Sequence, residues 1–410
     1  MTEYLETKNL LTTAQHGFRS GRSCLTNLMY SHQSWTKYLD EKIPVDVIYF
    51  DFSKAFDTVP HKMLLNKIKS YGIGGKLLQW ICNFLIGRTQ RVHVKTCFSP
   101  AQYVSSGVPQ GSVLGPLLFL LYVNDIVESN ESHIVMFADD IKIWRGLRTV
   151  HDTSILQNDI NKLQLWSETW LLKFNVKKCV VLNIRTRKST LKTQYRLHNV
   201  ILHSMESEKD LGITIMHSLK SSVQCTRAAN KAMTTMKRIK RALVELSPEV
   251  FCKVYNAYVR PHLEYAIQVW KPWLQQDINK LLLVQRRCTK LVAGLYNVEY
   301  SIRESILNLF PLSYRQTRGD LILAFRIIRT RDVGLKFDDF FQYSPNTYLR
   351  GHSWKLRKER SNYPLRKYFF SQRVVEVWNS LPESVVSAQS TESFKKHLDR
   401  HFFPNSNLEL

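Results

Sequence analysis

The chain has 410 residues, 44 % of them hydrophobic, enough to bury more than one core. Its 58 Lys and Arg against 34 Asp and Glu leave a formal charge of +24, which points to a polyanionic partner, either nucleic acid or an acidic membrane surface. A membrane-spanning chain is disfavoured, because the most apolar run, residues 113–123, is too short to cross a bilayer and holds Gly115-Pro116.

The N-terminus, MTEYLETKNLL, has acids where a signal peptide would have bases. VDVIYFDF (45–52) is β-branched and aromatic and predicts a strand running into SKAFDTVPHKMLLNKIKSYG, a turn and then an amphipathic helix ending at Gly72. RVHVKTCF (91–98) alternates like a strand. Residues 107–111 predict a loop, with Ser112 capping the apolar helix that follows. IVMFADDIKIW (134–144) predicts a hairpin with Asp139-Asp140 at its turn. Residues 151–170 predict a helix and 178–184 another strand. Beyond residue 216 the pattern is nearly all helix. One helix face carries Ala229, Met233, Met236, Ile239 and Leu243, while Arg227, Lys231, Arg238 and Arg241 lie largely elsewhere. Ser247-Pro248 begins another helix. Residues 352–373 are basic and hold Trp354, Tyr363, Tyr368, Phe369 and Phe370, a mixture suited to phosphate neutralisation and base stacking. The seven cysteines are scattered without a CxxC pair and predict reduced intracellular thiols, and the 13 histidines include no HExxH.

Two acidic stretches carry chemistry. Asp51 ends an apolar strand, where a carboxylate is costly unless it binds something. Alone, it reads as a turn or cap residue, and so does the Asp139-Asp140 pair. If the strand and the hairpin lie side by side, three carboxylates converge, repel one another, and invite hard divalent cations such as Mg²⁺. Two such ions, roughly 3.5–4 Å apart, activate an attacking oxygen and stabilise a leaving one in phosphoryl transfer.

VSSGVPQGSVLGPLLFLLYVNDI (104–126) followed by FADD resembles the palm of reverse transcriptases of animal non-LTR (LINE-like) retrotransposons. QHGFRSGRSCLTNL (15–28), DFSKAFDTVPH (51–61), FLIGRTQRV (84–92), FNVKKCVVL (174–182) and EKDLGITI (208–215) extend the resemblance over residues 15–215. AYVRPHLEYAIQVW (257–270) and RVVEVWNSLPESVV (373–386) look like the thumb and C-terminal region of the same elements.

The resemblance implies an α+β right-hand polymerase. Partial fingers and a ferredoxin-like palm would occupy residues 1–215, a helical thumb 216–300, and a basic, mostly helical C-terminal extension 301–410. It implies RNA-directed DNA polymerisation from dNTPs, an RNA template and a DNA primer, with two Mg²⁺ ions, Mn²⁺ being the substitute, in the nucleus or cytoplasm. Asp51, Asp139 and Asp140 fall at the metal-binding aspartates. Phe52 and Phe56 fall at the nucleotide, Phe56 as the aromatic that excludes a ribose 2′-hydroxyl. Gln110-Gly111 matches the loop touching nucleotide and template, and Lys178, beside Lys177, the lysine near pyrophosphate. Leu211-Gly212 matches the primer-grip hairpin, and Arg19, Arg22, Arg88 and Arg91 are candidate phosphate or template contacts. Fourteen residues precede Gln15, with one base, Lys8, among them. They are too few for the family's basic fingers segment, so the resemblance implies an amino-terminally truncated element with weakened dNTP binding. The alternative is a catalytically weak or inactive transposon-derived nucleic-acid-binding protein.

Overall fold

The computed structural model describes residues 1–185, 193–243, 245–331, 333–345 and 351–403. The chain divides into two compact units, Met1–Asn27 with Ile43–Glu206, and Leu28–Lys42 with everything from Ser207 onward.

Unit 1 starts with α1 (Thr2–Thr7) and the first turn of α2 (Cys24–Asp40), whose remainder belongs to unit 2. The order then runs β1 (Val45–Phe50), α3 (Ala55–Thr58), α4 (His61–Ser70) and α5 (Gly75–Leu85). Four two-residue strands follow: β2 (Thr89–Gln90), β3 (His93–Val94), β4 (Cys97–Phe98) and β5 (Gln102–Tyr103). Next come α6 (Leu114–Val123), β6 (His133–Phe137), β7 (Asp140–Gly146), α7 (His151–Thr169), β8 (Val180–Ile184), β9 (Arg196–Leu197), β10 (Val200–Ile201) and β11 (His203–Met205). The fold class is α+β, as expected. A five-stranded sheet in the order β11-β8-β1-β7-β6 has β1 at its centre, antiparallel to both β7 and β8. This is why VDVIYF is apolar on both faces: all but Tyr49 are buried. The exception in chemistry is Asp46, fully buried, and its charge is met by Arg185 at 2.5 Å, Asn183, Thr193 and Tyr195.

α6 is apolar all round and is accordingly interior, with Leu118, Phe119, Leu121, Tyr122 and Val123 buried in one core with Ile48, Phe50, Ile143, Ile160 and Leu163. Ser112 accepts the Gly115 N–H at 2.9 Å and so caps its start. No helix among the described residues is long and apolar enough to cross a membrane. One expectation changes: 91–98 is not a single strand. Lys95 takes a positive φ of 56°, folding the segment back on itself so that His93 pairs with Phe98.

Unit 2, after its part of α2, continues with the hairpin β12 (Ser207–Asp210) and β13 (Ile213–Met216), followed by α8 (Ser222–Ala242) and a series of helices. α8 buries Ala228, Ala229, Ala232 and Met236 and exposes Arg227, Lys231, Arg238 and Arg241. Ser247 caps the helix Pro248–Val254 by accepting the Val250 N–H.

Residues 352–373 were expected to form a nucleic-acid surface, and the segment divides: Arg357, Lys358, Arg360, Lys367 and Tyr368 are exposed, while its other rings and two of its arginines serve the interior of unit 2. Phe369 and Phe370 are buried core. Arg366 is 4 % exposed and bound to Gln33 and Glu359, and Arg373 is held by Asp320 at 2.6 Å. Acidic partners within the unit draw these cations inward.

Candidate active site

The β6–β7 hairpin turns on two residues, Ala138 and Asp139, so Asp140 is the first residue of β7 rather than part of the turn. β1 pairs with β7 up to Phe50 opposite Ile141, and continuing that register sets Asp51 across from Asp140. Burial holds the Asp139 carboxyl above its ordinary range, and the negative charge of Asp51 pushes it the same way. Asp51 Oδ2 is buried without a hydrogen bond, with the Lys178 ammonium 3.3 Å away. Two neighbouring carboxylates, one of them raised by burial and by the other's charge, are a donor set that suits a hard divalent ion. Yet among the described residues no three His, Cys, Asp or Glu side chains are close enough to hold a metal by themselves. The tight triad expected from the sequence is thus absent as a preformed cage. The physical reason lies in Mg²⁺ chemistry, which takes one or two carboxylates and completes its octahedron with water and substrate phosphates.

The turn is held by a residue that sequence reasoning quoted but gave no role. Gln15, 2 % exposed, accepts the Ala138 N–H at 2.8 Å on Oε1 and donates from Nε2 to the Ala138 carbonyl at 3.3 Å. The same Oε1 accepts the Gly17 N–H at 2.8 Å. Ala138 has φ 55°, a conformation that non-glycine residues avoid, so the clasp fixes a strained backbone beside the aspartate. Its neighbours extend the sheet: Ala14 O accepts from Met136 N–H, and His16 N–H donates to Met136 O. A Cβ on Gly17 would sit 2.5 Å from Ala138 N, so only glycine fits there. His16 is buried, which pushes its imidazole down to about 3, and it stays neutral against Thr26 at 2.7 Å. Nothing local in the sequence marks Gln15 for this role, because its partner Ala138 lies 123 residues away.

The loop from 106 to 111 is packed on α3. Gly107, with φ 88°, has no room for a Cβ, which would meet the Asp57 and Phe56 backbone at 2.7–2.8 Å. Val108 N–H donates to Phe56 O, and Gln110 Nε2 donates to Asp57 Oδ1 at 2.8 Å. Gly111 also has a positive φ, 81°, and faces open space. Phe56 is half-buried and stacks on Phe119, ring centres 4.2 Å apart. Phe52 differs from expectation. It is 5 % exposed and stacked on Phe174 at 4.5 Å, so its side chain is core and only its backbone could meet a nucleotide.

Of the two adjacent lysines, Lys178 is the one that reaches Asp51, because Asn175 N–H donates to Asp51 O and turns the 175–178 loop toward it. Arg19 is corrected: 8 % exposed, it is bound by Glu6 at 2.5 Å and by the Thr12 carbonyl, leaving little of it for a phosphate. Arg22 donates inward to Thr13 O, and burial lowers it to about 10. Arg88 and Arg91 are exposed.

In unit 2 the β12–β13 turn is Leu211 (φ 42°) and Gly212 (φ 90°), and Tyr265 donates its hydroxyl to Leu211 O. A cleft of about 570 Å³ beside it is lined by Lys209, Arg227, Lys231, His262 and Tyr265.

Residues 1–222 match the family described as reverse transcriptase (RNA-dependent DNA polymerase). The chain is similar to the probable RNA-directed DNA polymerase from transposon BS of Drosophila melanogaster, 25 % identical over 81 % of this chain and 39 % of that protein. It is also similar to the RNA-directed DNA polymerase from mobile element jockey of Drosophila funebris, 29 % identical over 62 % of this chain and 29 % of the relative. A solved apo telomerase from Candida Tropicalis aligns over 77 % of this chain and 51 % of that one, with 12 % identity and a TM-score of 0.43. The chain spans well under half the length of these curated relatives.

Proposed function

The chain belongs to the reverse transcriptase family, and on that footing we propose that it is an RNA-directed DNA polymerase, adding dNTPs to a primer 3′-hydroxyl on an RNA template. The observation that carries this reading is the β1–β7 register, which brings Asp51 beside the FADD turn, where its charge helps to raise the Asp139 carboxyl. Asp51 and Asp139, with Asp140 beside them, would hold two Mg²⁺ ions, or Mn²⁺ in their place. When bound, such ions favour the ionised 3′-oxygen and neutralise charge on the departing pyrophosphate.

The protein's part is positioning and electrostatics. Gln15 fixes the turn that carries Asp139. Lys178 brings an exposed positive charge to the edge of the aspartate pair, where a leaving pyrophosphate would need it. Phe56, backed by Phe119, offers a rigid ring against the nucleotide sugar and excludes a 2′-hydroxyl. Gln110 and Gly111 border the nucleotide and template, and the strained Leu211-Gly212 turn with its basic cleft suits a primer phosphate. The work is intracellular, where nucleotides and templates are.

The rival reading is a nucleic-acid-binding protein without turnover, which the formal charge of +24 fits equally well. One assay separates the two. The purified chain should extend oligo(dT) on poly(rA) with Mg²⁺ and stop when EDTA is added. Binding of the template-primer with no extension under either metal would favour the rival.

A further inference from the structure

Between Thr58 and Asn124 the chain has no Asp or Glu at all, while Lys62, Lys67, Lys69, Lys76, Arg88, Arg91 and Lys95 lie within it. Lys67 is buried against Asp125, but Lys62, Lys76, Arg88, Arg91 and Lys95 are exposed, and among the described residues none of these five pairs with a carboxylate. The same surface holds exposed aromatic rings, one of them backed by a half-buried phenylalanine of the core's edge. On α5, Trp80 is 55 % exposed and stacks on Phe84, one helical turn on, with ring centres 5.7 Å apart and planes within 11°. The Arg88 guanidinium continues the column, 5.6 Å from the Phe84 ring. Arg88 O then accepts the Val104 N–H, so Tyr103, 83 % exposed, stands on the strand adjoining the top of the column. Farther along the arm, His93 and Phe98 stack at 4.2 Å, and Phe98 is 63 % exposed.

We propose that α5 and the β2–β5 arm form a stacking platform for an unpaired RNA strand, separate from the aspartate site. Two features select this occupant. An exposed Trp80 backed by the coplanar Phe84, with Tyr103 exposed on the neighbouring strand, fits the faces of unpaired bases, and the unpaired cations around them fit the phosphates between those bases. An acidic peptide would use the charges and leave the rings wet. Duplex nucleic acid would use the charges but cannot offer open base faces to Trp80 and Tyr103. The RNA identity rests on the polymerase reading, in which the template is the strand that must be held while unpaired.

The test is direct binding of labelled single-stranded oligo(rA) and of an RNA duplex of the same length, without metal or dNTP, by the wild-type chain and by Trp80→Ala, Trp80→Phe and Tyr103→Ala. Both rings are exposed, so circular dichroism should show unchanged folding. Trp80→Ala and Tyr103→Ala should each weaken oligo(rA) binding about tenfold, leave the duplex within about twofold, and Trp80→Phe should recover most of the loss. Unchanged single-strand affinity, or equal losses on both probes, would overturn the platform. Because no turnover is involved, a chain that binds through Trp80 but never extends a primer would keep the platform and refute the polymerase. A chain that extends normally but binds RNA independently of Trp80 and Tyr103 would do the reverse.

Discussion

Two stretches of this protein read alike on paper and are shared differently between core and surface. Residues 352–373 and the acid-free segment from Thr58 to Asn124 are both basic and aromatic. In the first, Arg366 and Arg373 are drawn inside by Glu359 and Asp320, and Phe369 and Phe370 become core. In the second, Lys67 alone is drawn inside, by Asp125 just beyond the segment, and Trp80, Phe98 and Tyr103 stay outside. Composition alone does not separate a binding surface from a structural network. The supply of carboxylates within folding reach does.

The comparison can be broken most forcefully at Arg373. Arg373→Ala strands Asp320, 2 % exposed, with Lys271 as its remaining cation at 3.1 Å. Removing one partner of a buried network of this kind costs about 3–5 kcal/mol, to be read from urea unfolding, with RNA affinity of the folded fraction unchanged. Arg88→Ala should do the opposite, leaving stability within ~0.5 kcal/mol and weakening single-strand binding. If Arg373→Ala folded normally and lost RNA affinity, the two regions would not differ as argued.

A second contrast sets the clasped FADD turn against the open arm. Gln15→Leu leaves the Ala138 and Gly17 N–H groups buried and unpaired, at about 1–3 kcal/mol for each unmet group. Primer extension should lose kcat more than it gains in KM for dNTP, and the Mg²⁺ concentration for half-activity should rise, while oligo(rA) affinity stays put. Gly17→Ala should reproduce this through its clash with Ala138 N. Normal Mg²⁺ dependence in both variants would show that the clasp does not position the site.

Much of this was legible beforehand, for definable reasons. The hairpin at 134–144 was readable because alternation and β-branching survive outside the fold, and α6 because an apolar helix of ten residues has nowhere to go but inside. The Gln15 clasp was not, since its partner Ala138 lies 123 residues away. Arg19 and Phe52 misled for the same reason: a motif fixes which residue is present, while the acid or ring that captures it, Glu6 or Phe174, is a tertiary fact.

A smaller effect is expected at Phe56. Phe56→Val should raise rNTP incorporation relative to dNTP about tenfold, and should loosen the fold slightly by removing the stack on Phe119. An unchanged sugar preference would return Phe56 to the status of a packing residue.

The smallest is a pH effect on stability. Burial among Tyr122, Trp166 and Trp170 lowers Lys67 from its ordinary 10.5 to about 8, despite the Asp125 hydrogen bond. Between those values the unfolded chain binds more protons than the folded one, so this group's contribution to stability rises with pH. Below about 8 both states are charged and the burial penalty is fully present. Wild-type stability relative to Lys67→Met should therefore improve between about pH 8 and 10, and a flat difference would mean that Lys67 titrates normally.

The central claim is that the Asp51–Asp139 pair runs a metal-dependent polymerase. It is tested most directly by measuring extension of oligo(dT) on poly(rA), and affinity for that same template-primer, side by side for wild type and Asp139→Asn. The account predicts extension reduced by about a thousandfold or more, the scale of losing a transition-state charge stabiliser, with template-primer affinity within about twofold. Asp139→Asn extending at near the wild-type rate would contradict it.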